Sequence, residues 1–334
     1  MSKIMKNNKN ITVLLSCIGK QVYLVEAFRK ALPLGGRVIT TDADMYAAGA
    51  AVSDFTYIAP PINNPGYIDW ILELCKKETV NLFITLLAEE LLVLETNRRK
   101  FEALGTRLVG MPLNSLQTCL NKSRLKELCV GTGLKTPSYW EMKDIECIPQ
   151  SSYPLMAKDV KAKGSRGQQQ LDNRDDAKYF LKTVDNKKFC NYILQPLLIG
   201  EEYGLDLVND LDSNFAVTLI RRKIRRRDCD TDIAESIDDE KLALSGRVLA
   251  KNLQHSGLVD CDVMRCKDGD YLLDINPRFG GGYIFSHNAG ADVPAALIAW
   301  LKGCKPNPSW LNPMAGIISA RYSKLQIISG DERT

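Results

Sequence analysis

The first hundred residues alternate between two kinds of segment, and that alternation restricts the fold more than any other feature of the chain. "ITVLLSCI" (11–18) is a continuous apolar run, the pattern of a strand buried on both faces of a parallel sheet. "QVYLVEAFRKAL" then spaces its apolar residues as a helix does. "GRVITTDAD", ending in Asp42 and Asp44, reads as the next strand, "YIDWILELCKKETV" as an amphipathic helix, "NLFITLL" as a buried strand and "EELLVLETNRRKFEALG" as a further helix. The pattern predicts a doubly wound α/β domain reaching about Gly110. Its first strand-to-helix turn, "CIGKQ", holds one glycine where dinucleotide binders use GxGxxG, which argues against a cofactor at that turn.

From Asn121 the pattern changes. "NKSRLKELCVGTGLKTPSYW" is a basic helix closed by a glycine turn and Pro137. "YPLMAKDV" is a short strand carrying Lys158, and the polar loop "KAKGSRGQQQ" follows. "DDAKYFLKTV" reads as a helix, "NYILQPL" and "EEYGLDLVND" as strands, and "FAVTLIRRKIRRR" as a strand running into a cluster of cations. After the helix "DDEKLALSGRVLAKNLQ", the segments "GLVDCDVMRC" and "YLLDIN" form a hairpin around an Asp-Gly turn. The second half is therefore α+β with antiparallel strands.

Composition excludes several classes. The 334 residues have a formal charge of +4, 45% apolar and 25% charged residues, all ordinary for a globular chain and too weakly basic to imply nucleic acid. The run from Arg221 to Arg227 does not change this, because alternate strand residues face opposite ways and the acidic "DCDTDIAESIDDE" follows at once. The ten cysteines include no CxxC pair, and two histidines make a zinc site a poor expectation, so reduced core thiols are expected. Met1 to Asn10 is polar and no apolar run is long enough to span a bilayer, so no membrane association and a cytoplasmic location are the expectations.

The stretch "YLLDINPRFGGGYIFSHNAG" (271–290) carries the sharpest chemical signal. Asp274 and Asn276 stand two apart on a strand and share a face, Pro277 ends regular pairing, and Gly280, Gly281 and Gly282 permit backbone closed to other residues. An acid and an amide oxygen on one face, with Arg278 beside them, suit a hard cation that carries an anion. A strand end with Asx-turn chemistry and a plain flexible loop is the other reading.

The order of basic helix, strand lysine, Gly/Ser loop, "LQPLLIGEEY", Arg-rich strand and "DINPRFGGG" resembles the ATP-grasp superfamily, especially ligases similar to carbamoyl-phosphate synthetase large subunits. The resemblance runs from about residue 10 to 304. It implies a Rossmann-like α/β pre-ATP-grasp domain (1–112) followed by an α+β ATP-grasp domain with a central part carrying the phosphate loop (113–190) and a C-terminal part with the metal site (191–334). It further implies Asp262, Asp274 and Asn276 as ligands of Mg²⁺, or Mn²⁺, although relatives place Gln or Glu and then Glu where this chain has its two aspartates. Lys158 matches the lysine on the α- and β-phosphates, and Lys122 or Arg124 the basic residue before it. Gly164, Ser165 and Gly167 match the flap over the phosphates. Gln195 and the backbone of Leu197 match the adenine contacts, with Leu197 the expected amide because Pro196 has none, and Glu202 matches the ribose acid.

The resemblance implies an ADP-forming ligase that joins a small carboxylate to an amine through an acyl phosphate, with Arg278 first, then Lys158 and Arg222 or Arg227, carrying the catalytic charge. Glu89 or Glu90, after a buried strand, either orients a substrate ammonium or is simply an acid at a helix N-terminus. The expected partners are small molecules, with a homodimer an allowed assembly. An ATP-binding sensor of the same fold without turnover is the alternative.

Overall fold

The computed structural model describes residues 10–159, 168–184, 191–227 and 230–328. The N-terminal part follows the alternation. β1 (Thr12–Ser16), α1 (Val22–Ala31), β2 (Arg37–Asp42), β3 (Phe55–Ile58), α2 (Tyr67–Lys77), β4 (Leu82–Thr85), α3 (Ala88–Thr96), α4 (Arg98–Ala103) and β5 (Arg107–Leu108) build a parallel sheet in the order β3-β2-β1-β4-β5. One face of that sheet buries Leu14, Phe83 and Phe101 with α2. The other packs Val13, Leu15 and Ile84 against α1 and elements from the far end of the chain.

Next come α5 (Leu113–Cys119), α6 (Leu125–Leu128), β6 (Trp140–Glu141), β7 (Leu155–Asp159), β8 (Gln168–Leu171), α7 (Arg174–Thr183) and β9 (Tyr192–Pro196). Strands β6-β9-β7-β8 form a small sheet, whose apolar face packs on Phe180 and Ala177 of α7. The remaining elements are β10 (Glu201–Asn209), β11 (Phe215–Arg227), β12 (Asp230–Ile237), α8 (Glu240–Leu253), β13 (Gly257–Cys266), β14 (Gly269–Asn276), α9 (Tyr283–Asn288), α10 (Val293–Leu301) and β15 (Ile318–Ala320). Their strands form a large antiparallel sheet, β14-β13-β10-β11-β12-β15. No described helix is long and apolar enough to cross a membrane.

Two boundaries differ from the sequence expectation. α5 and α6 bury Leu116, Leu125 and Leu128 in the core of the large sheet, so the segment from residue 113 belongs to that layer. β9 pairs with β6 and β7, which carries the small sheet on to Pro196, past residue 190. In both cases apolar packing and ladder pairing decide, and neither leaves a signature in local pattern.

A buried histidine joins the large sheet to the N-terminal part. His255 is fully buried, with Nε2 3.1 Å from the Leu207 carbonyl, while the adjoining Ser256 amide donates to the Gly110 carbonyl. Burial pushes its pKa down to about 4, so the folded chain holds this ring neutral. A base whose folded pKa lies below its ordinary value near 6.5 contributes stability that is present above pH 6.5 and is lost as pH falls toward 4. We expect the urea midpoint to drop between pH 7 and pH 5, and His255→Gln, though less stable at pH 7, to show a shallower drop. Parallel pH slopes for the two proteins would remove His255 as the source.

Candidate active site

A cleft of about 330 Å³ lies between the small and large sheets. Its layout follows from strand register. On β13, residues Met264, Asp262 and Asp260 alternate onto the cleft face, spaced by roughly 7 Å per pair of residues. On β14, Asp274 stands opposite Asp262, and Asn276 opposite Asp260. The apolar lining, Met156, Leu197, Leu198, Met264, Leu273 and Pro137, gathers at the end nearest the small sheet. Carboxylates come next, and beyond them Arg278, Gly281, Gly282 and Arg321. One groove thus offers an apolar slot, a charged middle and a polar far end in sequence.

The charged middle is largely self-neutralised. Lys223 Nζ sits 2.6 Å from both Glu202 Oε1 and Asp262 Oδ1. Arg226 reaches Glu202 at 3.0 Å, and Lys122 Nζ reaches Asp274 at 3.2 Å. Burial tends to raise the Asp262 carboxyl, but Lys223 outweighs it and holds the group below the usual range. Asp274 is raised, by burial first and then by the neighbouring negative charge of Asp262, despite Lys122. Two close carboxylates and the Asn276 amide oxygen, which lies within 3.5 Å of Arg278 Nη2, form an all-oxygen donor set that suits a hard cation. Among the described residues no group of three or more His, Cys, Asp or Glu is placed to hold a metal, so phosphate and water oxygens would have to complete the shell.

Beneath the groove Arg221 is buried, its Nη1 2.7 Å from Asp206 and its Nη2 bonded to Asp260. Three glycines make room for it and for its partner Asp260. A Cβ at Gly204 would lie 2.6 Å from Arg221 Cζ, one at Gly282 would overlap the same guanidinium, and one at Gly280 would overlap the Asp260 carboxylate. This corrects the expectation that the triple glycine serves unusual backbone angles: Gly280, Gly281 and Gly282 do not have positive φ, and close approach of charged side chains is the reason for Gly280 and Gly282.

The structure brings Lys122, Lys158, Gln195, Leu197, Glu202, Asp262, Asp274, Asn276 and Arg278 to this one cleft. Other expected residues go elsewhere. Arg124 pairs with Glu127 on the surface, leaving Lys122 as the basic residue in the groove. Arg222 faces the opposite side of the sheet, paired with Glu201 and Glu235, because it stands opposite Tyr203 while the groove face carries Glu202, Gly204 and Asp206. Arg227 is exposed and outside the lining. The groove takes Arg221, Lys223 and Arg226 from that strand instead, the last restored to the groove after two register shifts between Lys223 and Arg226. The Leu197 amide donates to the Pro154 carbonyl at 2.9 Å and so is already engaged, contrary to its expected role toward adenine. Gly164, Ser165 and Gly167 lie outside the described residues.

Glu90 is fully buried, accepting from Ser16 Oγ at 2.7 Å and from the hydroxyls of Tyr67 and Thr85. It ties strand ends together and is closed to substrate; Glu89 does not line the cleft either. Sequence reasoning missed Arg221, Asp206 and Asp260. The available signal was acids on one face of largely apolar strands, Glu202 with Asp206 four residues apart and Asp260 with Asp262 two apart.

Residues 188–323 match the family described as ATP-grasp in the biosynthetic pathway with Ter operon. The chain has an ATP-grasp domain. Residues 13–109 match the family described as PylC-like, N-terminal domain. The fold is also that of a biotin carboxylase complex with β-γ-ATP from Campylobacter jejuni, at TM-score 0.70 and 17% identity over 92% of this chain and 75% of that one. An ADP complex of N5-carboxyaminoimidazole ribonucleotide synthetase matches at TM-score 0.73 and 15% identity over 95% and 82%. The biotin carboxylase domain of the Hydrogenobacter thermophilus 2-oxoglutarate carboxylase, with MgADP, ADP and bicarbonate, matches at TM-score 0.68 and 15% identity over 88% and 70%.

Lys158, on β7, projects into the groove, and burial followed by the positive charge of Lys122 lowers its pKa to about 8. A phosphate beside it favours the charged form and so raises the pKa in the complex. Nucleotide binding should therefore take up a proton above pH 8 and weaken as pH rises from 8 to 9.5. Calorimetry in two buffers of different ionisation enthalpy reads the uptake. Lys158→Arg, charged throughout, should flatten the dependence, and an unchanged slope in that variant would assign the proton to another group.

Proposed function

We propose that this chain is an ATP-dependent, ADP-forming carboxylate–amine ligase. The observation that carries the reading is the order of chemistry along one strand pair: an apolar slot, then cations with two carboxylates, then Arg278 at the entrance to a polar end. A nucleotide base, its phosphates and a carboxylate acceptor require that order. The solved structures of the same fold hold β-γ-ATP, ADP, MgADP or bicarbonate, in keeping with it.

In this reading Gln195 and the apolar slot receive the base, and Lys158 and Lys122 face the phosphates. A substrate carboxylate oxygen attacks the γ-phosphorus, the bond to the β-phosphate oxygen breaks, and ADP leaves. An amine then attacks the acyl carbon and expels phosphate. No covalent bond to the protein forms, so the chain supplies position and charge. Arg278 donates to the transferring phosphoryl group and the acyl oxygen as negative charge builds there. Asp262, Asp274 and Asn276 would hold Mg²⁺, which when bound offsets phosphate charge. Glu202, gripped by Lys223 and Arg226, becomes free for ribose hydroxyls only when those cations turn to phosphate.

That last exchange sets an order of binding. Because Lys223 and Lys122 already occupy the two carboxylates, divalent cation alone should bind weakly. Free Mn²⁺, followed by electron paramagnetic resonance, should fall sharply only after a non-hydrolysable ATP analogue is added. Lys223→Met should let Mn²⁺ bind without nucleotide, at least tenfold more tightly than in the wild type. Equal Mn²⁺ affinity with and without the analogue would refute the exchange.

The ligase reading is tested at Arg278. Arg278→Lys keeps the charge and loses the planar fork, so acid-dependent ADP release should fall by about 10² or more, while ATP affinity changes little. A sensor has no transition state to stabilise. Absence of acid-dependent ADP release from the wild type across a broad acid pool would favour the sensor, and equal turnover in the variant would end the role given to Arg278.

A further inference from the structure

We infer that the acid taken by this site is a dianion, and that Arg321 is the residue that selects for its second negative group. The inference rests on the ligase reading and names its substrate class. Arg221, Lys122, Lys223 and Arg226 each have a carboxylate of the same chain within 3.2 Å. Lys158, Arg278 and Arg321 line the cleft without a carboxylate at ion-pair distance among the described residues. Lys158 stands on the small sheet, beside the phosphates in the proposed complex, and Arg278 meets the reacting carboxylate. Arg321 remains.

Its position is built. The backbone amide of Arg321 donates to the Asp232 carbonyl at 2.8 Å, where the chain leaves β15. Its guanidinium lies 5.7 Å from the centroid of the Phe285 ring and donates through Nη2 to the Gly281 carbonyl. Gly281 is three residues beyond Arg278, so the two guanidinium groups flank one short loop at the polar end of the groove. A guanidinium stacked on a ring and tied to a carbonyl by one nitrogen keeps further donors for a planar anion.

The lining supports the same substrate. Besides Arg278 and Arg321, the cleft lining includes Asn276, Gly281, Gly282 and Thr231, with the carboxylates Asp230 and Asp260, the second of them paired with Arg221. A monocarboxylic acid would leave Arg321 unmatched. A short dicarboxylic acid meets Arg278 at one end and Arg321 at the other.

The probes are glutarate and butyrate, compared by calorimetry on protein holding a non-hydrolysable ATP analogue and Mg²⁺, and by ADP release with ATP and hydroxylamine as the amine. Glutarate should bind at least tenfold more tightly than butyrate. Arg321→Ala should lose that advantage with nucleotide affinity retained, and Arg321→Lys should recover part of it. Butyrate binding as well as glutarate, or glutarate binding unchanged in Arg321→Ala, would overturn the inference; ADP release that persists with both acids would then leave the ligase reading standing. Arg321-dependent glutarate binding without ADP release would instead sustain the dianion site and remove the ligase reading.

Discussion

The architecture of the groove depends on one buried guanidinium. Arg221 on β11 passes across β10 at Gly204 to reach Asp206 on that strand and Asp260 on β13, so three adjacent strands share one charge network below the cleft floor. Burying three charges is costly, and removing one partner from such a network typically costs about 3–5 kcal/mol because the others remain uncompensated. Burial pushes the Asp206 carboxyl upward against the pull of Arg221, and Ser286 of α9 donates to it at 2.6 Å. The network therefore extends from the sheet into the loop and helix that follow Arg278. Asn276 also donates to Asp260, at 3.3 Å, which couples a candidate metal ligand to the same network.

The N-terminal domain supports this loop from behind. Phe279 and Tyr283, on either side of the triple glycine, pack edge to face with centroids 5.1 Å apart, and Phe279 also meets Phe28 of α1 at 6.2 Å. Those rings belong to the same apolar core as Val13, Leu15 and Ile84 of the parallel sheet. The position of Arg278 is thus held from the front by an ion network and from the back by a core that the first domain completes. The small sheet has its own core around Leu155, Leu171 and Phe180, and it brings Lys158 and Gln195 to the groove from the opposite side.

The cleft contains more opposite charge than a binding site needs at rest, and the pairing gives that excess a use. Each lysine on a carboxylate keeps both groups from facing a dry groove unpaired, which would be costly. In the proposed complex phosphate and a divalent cation replace the partners together, so that neither charge is stranded. The cations of the lining without a carboxylate at ion-pair distance among the described residues are Lys158, Arg278 and Arg321.

Much of this could be read in the residues alone. Periodicity of apolar residues separates a parallel α/β unit from an antiparallel one, since burial on both faces of a strand demands a continuous apolar run. The local order Asp274, Asn276, Arg278 likewise places three polar groups at one strand end whatever surrounds them. Which member of the cation run faces the groove was decided only by the tertiary structure. In "IRRKIRRR", a shift of one residue exchanges Arg221 and Lys223 for Arg222, and the register shifts after Lys223 exchange the faces again before Arg226. Pairing with β10 and β12 sets that register, and those partners are distant in sequence. The same holds for Glu90 and the two glycines beside Arg221. A buried carboxylate and an exposed one look alike in a sequence, and a glycine required by a neighbouring guanidinium looks like one required by a turn, because what distinguishes them is the atom brought alongside by the fold.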